Sequence, residues 1–274
     1  MMMMMMMKAA VVFLLHLTAV SLVSAFVTVV PSNTGLSSSS LYAVTPATPA
    51  TPVDQVVVLP DAAAVGDKIR SIVEDAAKEA IAEKGHFYLA IPGGSILKML
   101  VGSGIRKEWC SKTTIAYANH KCVDMGDEDL APHAKAMKLF MSEWEGCNPI
   151  VLDGTNNGPQ EAAAYEAKLK ALDNLPLNSN GLPVFDLALI GVGDDGHIGS
   201  LYPNREEVLE TEKWVLSVAM KEPPSITLSL PVMAGATQVV VAACGVSDKY
   251  PQGKSAGMHR AVAAEDESLQ SFPA

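Results

Sequence analysis

The sequence predicts an α/β protein with a doubly wound, mostly parallel sheet and helices on both faces, built as a single domain. Three observations point there. Short apolar runs, such as Phe87–Ile91 and residues 185–190 with Asp186 as the one polar member, read as strands buried on both faces. Stretches with apolar residues at helical spacing alternate with them, as a parallel sheet with crossover helices requires. Glycine-rich turns follow two of these strands directly, at the carboxyl ends where open α/β sheets bind ligands.

Residues 1–53 stand apart from this pattern. They contain no acidic residue, the first being Asp54. Lys8, an apolar stretch over 9–23 and the small pair Ser24 and Ala25 follow the order of a secretory signal, expected over 1–25. A membrane span is the rival reading, diluted by His16, Thr18, Ser21 and Ser24. Residues 26–53 are rich in Ser, Thr, Pro and Ala and read as a transit-peptide-like leader. The Ser24-Ala25-Phe26 junction resembles the cleavage motif of bipartite leaders, which implies the stroma of a complex plastid. A secreted protein, or a cytosolic one if the leader is misread, is the alternative. The folded domain is expected over 54–274.

Within it, residues 55–59 form a first strand ending at Pro60. Asp61 caps a helix to about Lys84, with Val65, Ile69, Ile72, Val73, Ala76 and Ala80 on its apolar face, and Gly85 stops it. Phe87–Ile91 is the next strand, followed by Pro92-Gly93-Gly94-Ser95 and an apolar helix from Ile96. A strand over 113–117, a polar loop over 119–130 and a helix over 132–144 come next. Pro159 opens a helix over 161–172, its missing N–H harmless in the first turn. The strand at 185–190 ends in Gly191-Val192-Gly193-Asp194-Asp195-Gly196-His197. Strands over 214–218, 226–230 and 238–243 and a helix over 253–264 complete the expected fold.

Composition narrows the function. Apolar residues are 49% and charged residues 18%, which excludes a disordered or collagen-like chain. Twenty Lys and Arg against thirty Asp and Glu leave a net charge of −10 without a basic cluster, which argues against a nucleic-acid partner but not against an anionic small ligand. Cys110, Cys122, Cys147 and Cys244 lack metal or CxxC spacing and are too sparse for a disulfide scaffold, so reduced thiols are expected. His86, His120, His133 and His259 have no mutual metal spacing either; no metal and no cofactor are expected.

Two motifs carry chemistry. Gly93-Gly94-Ser95 lies between strand and helix, where close backbone approach, free N–H groups and a hydroxyl suit an anion; a plain tight turn is the equal alternative. Residues 191–196 match G-x-G-x-x-G after a strand, but Pro203 leaves no room for the long helix a dinucleotide site needs. Asp195 and His197, two apart on a glycine turn, instead read as a carboxylate that orients a histidine base. No G-x-S-x-G nucleophile elbow is present.

Taken together these segments resemble the 6-phosphogluconolactonase family, within the broader glucosamine-6-phosphate isomerase/deaminase superfamily, over most of residues 56–262. The stretches 87–95, 186–203, 226–232 and Gly253-Lys254-Ser255-Ala256 follow the family's order, and 186–203 is the specific one. Its ending Ser200-Leu201-Tyr202-Pro203 favours the lactonase over the deaminases. The resemblance implies metal-free hydrolysis of 6-phospho-D-glucono-1,5-lactone to 6-phosphogluconate in the oxidative pentose phosphate pathway, a small-molecule partner and no membrane contact in the mature form. His197 would be the general base, Asp195 its orienter, and Gly93, Gly94 and Ser95 the phosphate loop. Asn119-His120-Lys121 stands where the family has Asp-Glu-Arg, and Ser225 where it has Arg, so Lys121 and Lys254 are the cations left for the phosphate. An impaired relative that binds a sugar phosphate or a protein without turnover is the other reading of those differences.

Overall fold

A computed structural model describes residues 10–16, 55–102 and 107–244. A seven-stranded sheet forms its centre. Strands β1 (Ala10–His16), β2 (Gln55–Leu59), β3 (Phe87–Ile91), β4 (Thr113–Tyr117), β6 (Asn148–Pro149), β7 (Leu187–Gly191) and β10 (Gln238–Ala243) lie in the order β2-β1-β10-β7-β3-β4-β6. From β10 to β6 every pairing is parallel, and β1 is antiparallel to both its neighbours. The mostly parallel α/β core agrees with the expectation.

The apolar runs sit where burial on both faces demands them. All five residues of β3 and of β4 are buried, as are the first four of β7. Helix α1 (Ala62–Lys84) covers them with Val65, Ile69, Val73 and Ala77 fully enclosed. Its ends follow capping physics. Asp61 Oδ1 accepts from the Ala64 N–H at 2.8 Å, and Gly85, at φ 80°, donates its N–H to the Ile81 carbonyl at 3.0 Å. At the opposite end of the strands from the glycine turns, buried Asp186 pairs with Lys84 and accepts from the Tyr88 N–H, tying α1 and β3 to the start of β7.

The structure corrects several expectations. Residues 215–228 do not join the main sheet: β8 (Val215–Val218) and β9 (Ser225–Leu228) form an antiparallel hairpin that pairs with β5 (Asn119–Lys121) in a separate three-stranded sheet. The expected polar loop therefore begins as a strand, because β9 supplies the backbone partners that its polar sequence does not advertise. Two helices are also shorter: α2 (Ile96–Met99) is one turn, and α3 (Pro132–Leu139) gives way to a tight turn at Met141–Glu143, whereas α4 starts earlier than expected and spans Gly158–Lys170. Leu230, read as strand, opens α5 (Leu230–Ala234).

Residues 10–16, inside the segment expected to be a signal peptide, run as β1 between β2 and β10. The rest of the expected leader and the expected helix at 253–264 lie outside the described residues.

Candidate active site

Strands β7, β3 and β4 are neighbours in that order and parallel, so their carboxyl ends open side by side. The turn after β3 brings Gly93, Gly94 and Ser95 there. The Gly93 N–H donates to Asn119 Oδ1 at 3.0 Å, and a Cβ at Gly93 would lie 3.1 Å from Pro132 Cγ. Gly94 adopts φ 83°, a conformation that favours glycine. The short α2 contributes little macrodipole. The Leu97 and Lys98 N–H groups are taken by the Gly94 and Ser95 carbonyls, while the Gly94 and Ser95 amides have no partner among the described residues. Those two amides and the Ser95 hydroxyl are what the turn offers an anion.

Asn119 joins this turn to the second motif. An N–H faces its Oδ1, so its Nδ2 must be the donor on the other side, and it donates to Ser200 Oγ at 3.3 Å. The Ser200 N–H donates to Thr227 Oγ1 at 3.2 Å, and the Thr227 hydroxyl reaches the Ala118 carbonyl at 3.2 Å. A Cβ at Gly199 would sit 2.7 Å from Thr227 Oγ1, so only glycine lets the segment lie this close to β9. The sequence singled out Asn119 only as a departure from the family pattern, and missed the link because its ends are 81 residues apart.

The turn after β7 builds the dyad. Gly193 donates its N–H to the His197 carbonyl at 2.8 Å, and Gly196, at φ 85°, donates to the Gly193 carbonyl. His197 folds back across Gly193, where a Cβ would meet its Nδ1 at 2.0 Å. Its Nδ1 lies 2.5 Å from Asp195 Oδ1, which also accepts the His197 amide at 3.2 Å. Burial opposes ionisation of Asp195, but the hydrogen bonds from the His197 ring and amide together outweigh it and hold the carboxyl below its usual range. An ionised carboxylate only accepts, so Nδ1 is the donor of the pair, and Nε2 has no hydrogen-bond partner among the described residues. Tyr202 lies against the imidazole, ring centres 4.8 Å apart, and Lys221 Nζ lies 5.1 Å from the Tyr202 ring centre. Sequence reasoning gave neither residue a role.

Asn119 and Lys121 share one face of β5, opposite Thr227 and Ser225 of β9, so Lys121 is on the side of the dyad's loop. His120 points the other way and is fully buried. Its Nε2 accepts the His133 N–H at 3.0 Å and its Nδ1 donates to the Lys121 carbonyl at 2.7 Å. Burial, only partly offset by the Lys121 carbonyl, pushes its pKa down to about 4. His120 is a neutral cap for α3, a part its sequence context did not show. Lys254 lies outside the described residues. Two clefts, of about 700 and 510 Å³, open elsewhere, along α4 and β8 and beside Lys84, and contain none of these groups. The strand-end groups thus offer a base, open amides and cations, the equipment for proton abstraction beside a bound anion.

Comparison with known proteins identifies the family. Residues 60–274 match the family model described as glucosamine-6-phosphate isomerases/6-phosphogluconolactonase. A probable 6-phosphogluconolactonase of Schizosaccharomyces pombe is 32% identical over 205 residues, covering 69% of this chain and 78% of that one. The probable chloroplastic 6-phosphogluconolactonase 3 of indica rice is 29% identical over 71% of this chain and 62% of its own length. Among solved structures, the 6-phosphogluconolactonases of Leishmania guyanensis and Trypanosoma brucei share the fold, each with a TM-score of 0.54 and 20% identity, over 64% of this chain and 76% of theirs. With a family match that runs from just before α1 through the end of the chain, and a yeast relative aligned over most of its own length, this protein belongs to the glucosamine-6-phosphate isomerase/6-phosphogluconolactonase family.

Proposed function

We propose that the protein hydrolyses 6-phospho-D-glucono-1,5-lactone to 6-phosphogluconate, the lactone step of the oxidative pentose phosphate pathway. The observation that carries this reading is the His197–Asp195 pair, which leaves one imidazole nitrogen open at the strand ends. The yeast and rice relatives bearing that activity in their names support it.

The chemistry needs little more. Nε2 of His197 takes a proton from water as the water oxygen bonds to the lactone carbonyl carbon. Asp195 stabilises the imidazolium that results. The tetrahedral intermediate then expels the ring oxygen, which takes the proton back from Nε2, and the ring opens to the acid. A lactone carbonyl is already electrophilic, so positioning and one base suffice without a covalent nucleophile. The Gly94 and Ser95 amides and Lys121 face the 6-phosphate.

Hydrolysis by the full chain, beside its His197→Ala variant and corrected for spontaneous ring opening, tests the proposal. Parent turnover well above background, lost in the variant, is the expected result. Turnover kept by a folded variant sinks the base assignment, and no turnover by either sinks the activity.

Plastid delivery by residues 1–53 is the reading that the leader and the chloroplastic relatives support. A fluorescent protein fused behind those residues should accumulate in plastids of an alga with complex plastids; cytosolic fluorescence contradicts it.

A further inference from the structure

The strand ends present a difficulty for a phosphorylated substrate. The turn that carries the base also carries two carboxylates, Asp194 and Asp195, and the chain as a whole is acidic. A phosphate dianion brought beside them needs cations of its own. Lys121 stands opposite Ser225 in the β5–β9 register, so the small sheet offers one cation in that row rather than two.

A second cation arrives from the tip of the same hairpin. Val218 of β8 pairs with Ser225 of β9, so residues 219–224 form the tip that projects beyond this row. Lys221 on that tip is exposed, and its ammonium lies 5.1 Å from the Tyr202 ring centre. The same ring is 4.8 Å from the imidazole of His197. The ammonium is therefore no farther from the base than the two spans laid end to end. No carboxylate pairs with it among the described residues. Its contact is an aromatic face, which holds a cation in place while leaving its three donors free.

The geometry points to Lys221 as a substrate-binding residue that holds the phosphate ester of the lactone, with Tyr202 as the platform that sets its distance from His197. This inference rests on the lactonase reading and adds the residue that makes the site select a phosphorylated ring. The ammonium is a mobile point charge, suited to tracking a phosphate on a flexible carbon.

The test uses the full chain, Lys221→Gln and Lys221→Arg, and two substrates: the 6-phosphorylated lactone and unphosphorylated D-glucono-1,5-lactone. Lys221→Gln should raise KM for the phosphorylated lactone roughly 10- to 100-fold, the range of a lost charge-assisted hydrogen bond, with kcat within about twofold. Inhibition by inorganic phosphate should weaken in parallel. Hydrolysis of the unphosphorylated lactone should not change, and Lys221→Arg should restore most of the affinity. Equal falls in kcat on both lactones would show that Lys221 only props Tyr202 against the base, and overturn the proposal, as would an unchanged KM. If the parent hydrolyses neither lactone, the lactonase reading fails separately. Lys221 is then judged by thermal stabilisation with 6-phosphogluconate, which must be present in the parent and lost in Lys221→Gln; its persistence in the variant rejects the lysine.

Discussion

His120 and His197 lie close to the carboxyl ends of β4 and β7, the two parallel strands that flank β3, yet the chain treats them in opposite ways. His120 is buried with both ring nitrogens engaged by backbone, one accepting from the His133 N–H and one donating to the Lys121 carbonyl. His197 is partly exposed, with one nitrogen held by a carboxylate and the other open. A histidine whose valences are all spent on the fold is a strut. One that is oriented but left a valence short is available for chemistry. Residue type and position along a strand do not separate them; the hydrogen bonds do.

The sharpest way to break the contrast is at Gly193. An alanine methyl there would overlap His197 Nδ1, so Gly193→Ala should swing the imidazole out of the turn. The lactonase rate should fall roughly 10²- to 10³-fold, nearly as far as with His197→Ala, because a general base contributes on that order. Little change in melting temperature should accompany it, since the turn is exposed. A variant with normal kcat shows that the ring position does not matter.

Asp195→Asn keeps the shape of the turn but removes the ionised acceptor. The neutral amide no longer stabilises an imidazolium, and kcat should drop about 10- to 100-fold. The loss should appear in kcat rather than KM, because Asp195 contacts the base and not the phosphate.

The strut is broken by pH instead. His120 titrates near 6.5 when unfolded and at about 4 when folded. The unfolded chain therefore binds the extra proton first as pH falls. The contribution of the neutral ring is complete above about 6.5 and is lost through the window down to about 4, amounting to up to ~3 kcal/mol. Urea unfolding near neutrality and near pH 4.5 measures it. His120→Gln should flatten the slope but leave a remainder, because burial lowers the pKa of His133 as well. An unchanged slope means His120 is not buried in neutral form.

At the first glycine turn the effects are smallest. Gly94 has a positive φ but open space where a Cβ would sit, so Gly94→Ala carries backbone strain without a clash. About 1 kcal/mol of stability should be lost, with KM for the phosphorylated lactone changing only a fewfold. A large rise in KM would mean that a methyl there blocks the phosphate directly.

The dyad was legible because its signal is local: a strand apolar throughout, then glycines, then an acid and a histidine two residues apart. β3, β7 and β10 were legible for the same reason, since strands buried on both faces must be apolar. What escaped was what distant residues decide. Asn119, His120 and Lys121 read as loop because three polar residues have no strand signature of their own. Only pairing with β9, more than a hundred residues later, makes them a strand. The burial of His120, the Asn119–Ser200 link and the Tyr202–Lys221 contact depend on the same tertiary arrangement, and no window of sequence contains both halves of any of them except the first.

The single amide of Asn119 couples the first glycine turn to the segment that follows His197, and thereby limits how the site can be remodelled. Grafting a new anion loop after β3 would disturb Ser200, and with it the turn that seats His197. Among the described residues, the hairpin tip at 219–224 reaches the dyad through the face of Tyr202. An engineer seeking a lactonase for a different ring substituent should therefore diversify the hairpin tip first and leave the glycine turns as inherited.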